Sequence, residues 1–206
     1  MEFSGFTKED FDVFTIDGFE ERMGALKSTI RPKLELLGNH FVPTLTTITG
    51  DEMFPHVAKH ARRSVNPPKD TWVAFSSNPR GYKMLPHFQI GMWESHLFIW
   101  YAVIYEAPQK AEIAKRFEKK INSIQKQIPS QFVWSADHMK PEAIKQSQLG
   151  KKGLLELFQK VQNVKKAELL CGFHISKEEA IKMAPQDLIE TIDQTLRTLL
   201  PLYKIT

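Results

Sequence analysis

Cysteine occurs once in this chain of 206 residues, at Cys171. An intrachain disulfide is therefore excluded, and so is a metal knot built on several thiolates. A reducing, cytoplasmic setting suits such a chain. No run of about 18 apolar residues is free of charge, so no segment reads as a membrane span. The opening MEFSGFTKED is acidic and lacks a long apolar stretch, which does not read as a secretory signal. Glycine and proline are modest. Gly-x-Gly-x-x-Gly, the P-loop, His-Glu-x-x-His and the nucleophile elbow are all missing, which weakens the standard nucleotide-binding and hydrolase readings. The length fits a single domain, 1–206, that buries a large core without a metal or other cofactor.

Charge is present and unevenly spread. The net is +4, yet residues 1–30 carry three basic and seven acidic side chains, whereas residues 108–166 carry thirteen basic and five acidic. Either the acidic ends pack beside the basic middle and partly cancel its field, or the middle presents a basic face to a polyanion such as nucleic acid. The first reading is favoured, because lysine runs on helices are usually solvated faces.

The Thr7-Lys8-Glu9-Asp10 start reads as a capped helix, with Phe6 stapled to Phe11. Phe19, Met23, Leu26, Ile30, Leu34 and Leu37 form one helical face, kinked at Pro32 and expected to stop at Gly38-Asn39. His40–Thr49 is threonine-rich and reads as an edge strand, and Asp51–Arg63 as a short helix. Strands are expected at Thr71–Ser77, Phe132–Ser135 and Lys166–Ile175, and helices at Pro108–Ile128, Pro141–Gln148 and Gly150–Val164. Ser176-Lys177-Glu178-Glu179 is a full capping box ahead of a helix striped by Leu188, Ile192, Leu196 and Leu199. Residues 6–34 align with this end at a constant offset of 169, either as a duplication or as two capped units that converged.

The richest stretch is His87–Glu106, HFQIGMWESHLFIWYAVIYE, nearly all strand formers with a break at Glu94-Ser95. A turn there opposes Trp93 to His96 and puts Phe88, Ile90, Met92, Leu97, Ile99, Tyr101 and Val103 on one face, the core. The other face collects His87, Gln89, Gly91, Trp93, His96, Phe98, Trp100 and Ile104. Imidazoles, an amide and indoles around a glycine could receive a ligand, or lie covered with the imidazoles hydrogen-bonded internally. Arg62, Arg63, Arg80 and Lys83 flank the preceding strand and, if gathered at one end of the sheet, could cradle an anion beside His87. His56 and His60 stand four apart, too little for a metal site without a third ligand. Cys171 and His174, three apart on a strand, face opposite ways, so they are no nucleophile–base pair.

The capped opening, the segment PPKDTWVAFSSNPRGYKMLPHFQIGMWESHLFIW and the PLYK ending together resemble the YktB family of bacilli and their relatives. The resemblance covers the whole chain and rests on no catalytic motif. It implies a bacterial, cytosolic, single-domain α+β protein of unknown function, and it supplies no active-site residues. The expectation is thus an α+β domain with a single antiparallel or mixed sheet of about five or six strands and helices packed on it. Its function is read as binding a small anionic ligand through His87, Gln89, Trp93, Trp100, Arg80 and Arg63, with no cofactor, metal or membrane partner. The alternatives are nucleic-acid association through the basic region 108–166, and an enzyme with a histidine base on the hairpin face.

Overall fold

The computed structural model describes residues 2–61 and 63–206. Its elements run α1 (Lys8–Asp12), α2 (Phe19–Ala25), α3 (Arg31–Thr49), β1 (Phe54–Val57), β2 (Asp70–Ser76), β3 (His87–Trp93), β4 (His96–Val103), α4 (Lys110–Lys119), α5 (Ile121–Gln127), β5 (Val133–Ser135), β6 (Ile144–Lys145), α6 (Gln146–Asn163), β7 (Leu169–Ser176), α7 (Lys177–Ala180) and α8 (Pro185–Tyr203). The strands form one antiparallel sheet in the order β1-β2-β3-β4-β7-β5-β6. The class is α+β as expected, with seven strands instead of five or six. No helix among the described residues is long and apolar enough to cross a membrane.

The hairpin holds the expected register, from His87 opposite Ala102 to Met92 opposite Leu97. Its first face joins Val73, Phe75, Leu169, Cys171 and Ile175 in the main core, against Leu34, Leu37 and Phe41 of α3, Phe117 of α4, Phe158 of α6 and Leu196 of α8. Every residue of β3 and β4 is buried, so both faces of the hairpin are covered.

The first long helix departs from expectation. Pro32, which has no N–H to give, sits in the first turn of α3, just after a π-helical turn at Leu26–Ile30. Gly38 does not end the helix. A Cβ there would lie 3.2 Å from Pro55 Cβ and 3.3 Å from Val73 Cγ2, so the glycine lets α3 sit close against β1 and β2. The residues read as a strand, His40–Thr49, extend α3, because Phe41, Leu45 and Thr49 prolong the buried stripe of Leu34 and Leu37. Pro43 and Asn39 are exposed, so the carbonyl deprived of its donor faces water. Gly50, at φ +83°, ends the helix in the left-handed region.

Other segments are also reassigned. Asp51–Arg63 contains β1, pinned to β2 from Phe54–Ser76 to Val57–Val73, where a helix was expected. Pro141–Gln148 holds the two-residue β6 and the start of α6. The expected Pro108–Ile128 helix breaks at Lys120, with Ile113, Phe117, Ile121 and Ile124 all inward. The two capped units are real: Asp10 Oδ2 accepts from Thr7 N at 2.6 Å, and Ser176 Oγ from Glu179 N at 3.3 Å. They adjoin through Lys177 Nζ, 2.8 Å from Asp12 Oδ1.

One lysine of the basic region is structural. Lys110 Nζ donates to the carbonyls of Val161 (2.9 Å), Val164 (2.8 Å) and Ala167 (2.9 Å), which come at the end of α6 and the turn into β7. An ammonium has three donors, and all three are used. Replacing it with methionine keeps the stem and strands three carbonyls. Lys110→Met is expected to destabilise the fold by about 2–4 kcal/mol, read as a lowered midpoint in urea denaturation.

Candidate functional site

The second face of the sheet carries the expected aromatic and imidazole set. Trp93, Phe98, Trp100, Ala102 and Ile104 of the hairpin form a separate cluster with Val133, Leu170, Trp72 and Ala143. Loop residues cover it. Tyr82, from the segment between β2 and β3, lies edge-on to His87 with ring centres 4.8 Å apart, and its hydroxyl accepts from Trp72 Nε1 at 3.0 Å. The space above Gly91 is filled from within: a Cβ there would collide with the Phe98 ring and lie 2.6 Å from Trp72 Cβ.

His87 is fully buried and fully bonded. Its Nδ1 donates to Leu85 O at 2.7 Å, which leaves Nε2 to accept from Gln89 Nε2 at 2.9 Å. Both nitrogens are committed to the neutral ring, and burial pushes its pKa down to about 4. Trp100 meets His174 of β7 edge-on at 4.9 Å, and His174 stacks on His96 at 4.0 Å. His96 Nδ1 bonds Ser95 Oγ at 2.8 Å, while Nε2 of both rings is buried without a partner among the described residues. Burial holds His96 at about 4; burial and then the His96 charge hold His174 at about 3. The ring planes are 28° apart, and among the described residues no third His, Cys, Asp or Glu joins this pair to make a metal-ligand set.

The two arginines of the expected cradle are separated. Arg80 belongs to the turn after β2, and Arg63 precedes β2 and acts on Asp70, that strand's first residue. A seven-residue strand of roughly 20 Å lies between them. Arg62 falls outside the described residues. His56 and His60 also go separate ways: His56 Nε2 bonds Asn78 O at 2.9 Å, and His60 Nε2 bonds Thr71 Oγ1 at 3.3 Å. Cys171 lies in the main core and His174 on the other face, as their spacing predicts.

Two clefts open beside this face. One, of about 1250 Å³, lies at the hairpin tip, where Trp93, Glu94 and Ser95 meet Lys69, Met139 and Lys140. The other, of about 690 Å³, lies between β1 and the turn before β3, with His56, Lys59, Arg80, Tyr82 and Lys83 in its lining. Of the sequence-nominated residues, Trp93 borders the first and Arg80 the second; His87 sits behind Tyr82, Gln89 behind His87, and Trp100 is sealed.

Sequence reasoning missed a buried acid–imidazole pair. Glu168, 1% exposed, accepts from Tyr105 N at 3.1 Å, from His138 N at 2.7 Å and from His138 Nδ1 at 2.7 Å. Thirty residues separate the partners, and no motif announces them. Burial pulls the His138 pKa down, but the bond to Glu168 and the charges of Glu168 and Asp70 outweigh it, and the net shift is upward. Asp70 is raised to about 6 by burial, which the charges of Arg63 and His138 only partly oppose.

Three buried histidines make the fold acid-sensitive. His87, His96 and His174 take up protons less readily folded than unfolded, so their stabilisation is complete above the unfolded value near 6.5 and is lost as pH falls toward about 4. For the buried His87 alone the loss by pH 5.5 is on the order of 1 kcal/mol. The melting temperature is expected to drop between pH 7 and pH 5. The drop should shrink in His174→Phe, which keeps a stacked ring and removes one titrating group; an unchanged slope in that variant would contradict the assignment.

Comparison with known proteins places the chain among uncharacterised relatives. The pattern of a domain of unknown function, DUF1054, matches residues 6–203. A UPF0637 protein of Bacillus velezensis is 58% identical over 98% of this chain and 96% of its own length. UPF0637 proteins of Bacillus licheniformis and Bacillus cereus are 55% and 52% identical, over 98% and 100% of this chain and 95% and 99% of their own lengths.

Proposed function

This protein belongs to the DUF1054 family, and we propose that it binds a small anionic ligand in the cleft between β1 and the turn before β3. The observation that carries this reading is the charge of the lining. Lys59, Arg80 and Lys83 contribute three cations, and no carboxylate lines the cleft among the described residues. Lys83 pairs with Glu106 at 3.2 Å, which leaves Lys59 and Arg80 without an ion-pair partner among the described residues. A guanidinium fork beside an ammonium suits a phosphate or carboxylate group.

The wall is stiff. Arg80 N donates to Asn78 Oδ1 at 2.8 Å, Gly81 N reaches Asn78 O at 3.4 Å, and His56 Nε2 ties the same Asn78 carbonyl to β1. Tyr82 is both a wall of the cleft and the cover of His87, so an anion settled there touches the aromatic and imidazole face through that one phenol. The role first expected of the whole face thereby narrows to Arg80 at the contact, with His87 and Gln89 as support behind Tyr82. Trp93, Trp100 and Arg63 lie outside this cleft.

Titration with inorganic phosphate, pyrophosphate and citrate at low salt tests the reading. At least one should raise the melting temperature and change tryptophan emission, because Trp72 bonds the Tyr82 hydroxyl. Added salt should weaken the effect. In Lys59→Ala/Arg80→Ala the apparent affinity should fall about tenfold or more, with the ligand-free melting temperature unchanged. An equal response from that variant would place the anion elsewhere.

A further inference from the structure

The outer surface of the helical layer is positively charged, and little on it offsets that charge. Phe117 of α4 stacks on Tyr101 of β4 with ring centres 6.1 Å apart, Phe158 of α6 lies edge-on to Trp134 of β5 at 5.7 Å, and the two phenyl rings meet at 5.7 Å. The two helices thus lie side by side on the sheet, and the residues opposite those rings face away from it together. Arg116, Lys119, Lys120, Lys126, Lys151 and Lys160 are exposed along α4, α5 and α6, and none has an ion-pair partner among the described residues. Lys165 and Lys166 carry the exposed charge past the end of α6. The carboxylates of these helices cancel little of it. Glu112 pairs with Lys115 and Glu156 with Lys152, while Glu118 accepts from Gln162 Nε2 at 2.6 Å.

The acidic opening of the chain does not pair with this surface. Its ion pairs beyond α1 run from Asp10 to Lys33 and from Asp12 to Lys177. Among the described residues no hydrogen bond or ion pair joins residues 1–30 to residues 108–166. The cancellation favoured on sequence grounds is therefore not made by contacts of the N-terminal carboxylates.

We propose that the outer surface of α4, α5 and α6 binds the phosphate backbone of a nucleic-acid duplex. A rise of about 1.5 Å per residue sets Lys151 and Lys160 roughly 13 Å apart along α6, and a duplex places one charge per about 1.7 Å of its axis over that span. Asn122, Ser123 and Gln127 are exposed on α5 beside Lys126 and add hydrogen-bonding groups of the kind that hold phosphate oxygens. The same surface lacks what other polyanions need. Single strands are gripped by stacking their bases on aromatic rings, yet Phe117, Phe132, Trp134 and Phe158 are all buried. A helix that lies on a membrane inserts apolar side chains beside its lysines, yet among the described residues no large apolar side chain of α4, α5 or α6 is exposed.

The intact protein is titrated against fluorescein-labelled DNA and RNA duplexes of mixed sequence at low salt, with anisotropy as the readout. At least one duplex should bind, and the logarithm of its affinity should fall with that of the salt concentration at a slope of about −3 to −5. Lys119→Glu/Lys126→Glu/Lys160→Glu should weaken binding about tenfold or more, with the melting temperature retained. Lys27→Glu/Lys69→Glu/Lys182→Glu makes the same change of net charge at exposed residues elsewhere, and should weaken binding about threefold or less. No binding to either duplex, an equal loss in the two triple variants, tighter binding of a single strand, or binding to phosphatidylserine vesicles in place of the duplexes would overturn the proposal. Lys59→Ala/Arg80→Ala should bind duplex like the wild type, so failure here and failure of the anion cleft are separate results.

Discussion

Burial of both faces of the β3–β4 hairpin is the constraint from which the rest of the molecule follows. A sheet covered on one side can leave its polar residues to water. Here the second side is closed as well, so each polar atom on it must find a partner within the protein or stay unpaired at a cost. His87 and Gln89 solve this by bonding each other and the Leu85 carbonyl. Trp72 solves it through Tyr82. His96 and His174 solve it only in part and keep the neutral state as a result. The loops between strands are what close this side, and their side chains also form the clefts. Packing and site are therefore built from the same residues.

How much of this could be read from the chain depended on the range over which each signal acts. The hairpin was legible because its alternation is strict and its break at Glu94-Ser95 is short; a shift of one residue would have put Phe88 and Ile90 with the imidazoles. Helix α3 was misread because Gly38, Pro43 and four threonines speak locally for an end and a strand. The deciding factor was the buried stripe from Leu34 to Thr49, which is worth more once the sheet is present to receive it. Strands β1 and β6, with four and two residues, carry almost no signal of their own and exist because a neighbouring strand offers its edge.

The site was less legible than the fold for a related reason. Facing follows from parity along one strand, so Trp93 and Trp100 were placed on the correct side. Whether a side is open depends on loops that fold back from elsewhere. The arginines near β2 were grouped by their closeness in sequence, but a strand carries its two ends apart, so Arg63 and Arg80 could not meet. His138 and Glu168 show the converse, two residues distant in sequence that a single carboxylate brings into contact. The whole-chain resemblance identified the family and was silent on chemistry, because the relatives it points to are themselves uncharacterised.

Glu168 also has a mechanical meaning. One buried carboxylate grips the strand exit at Tyr105 and the loop at His138 while standing at the head of β7. Three stretches of backbone are thus latched at a single point. Local opening of the roof over the indole rings would have to release all these bonds together, so amide hydrogens beneath it should exchange in one cooperative step instead of fraying residue by residue.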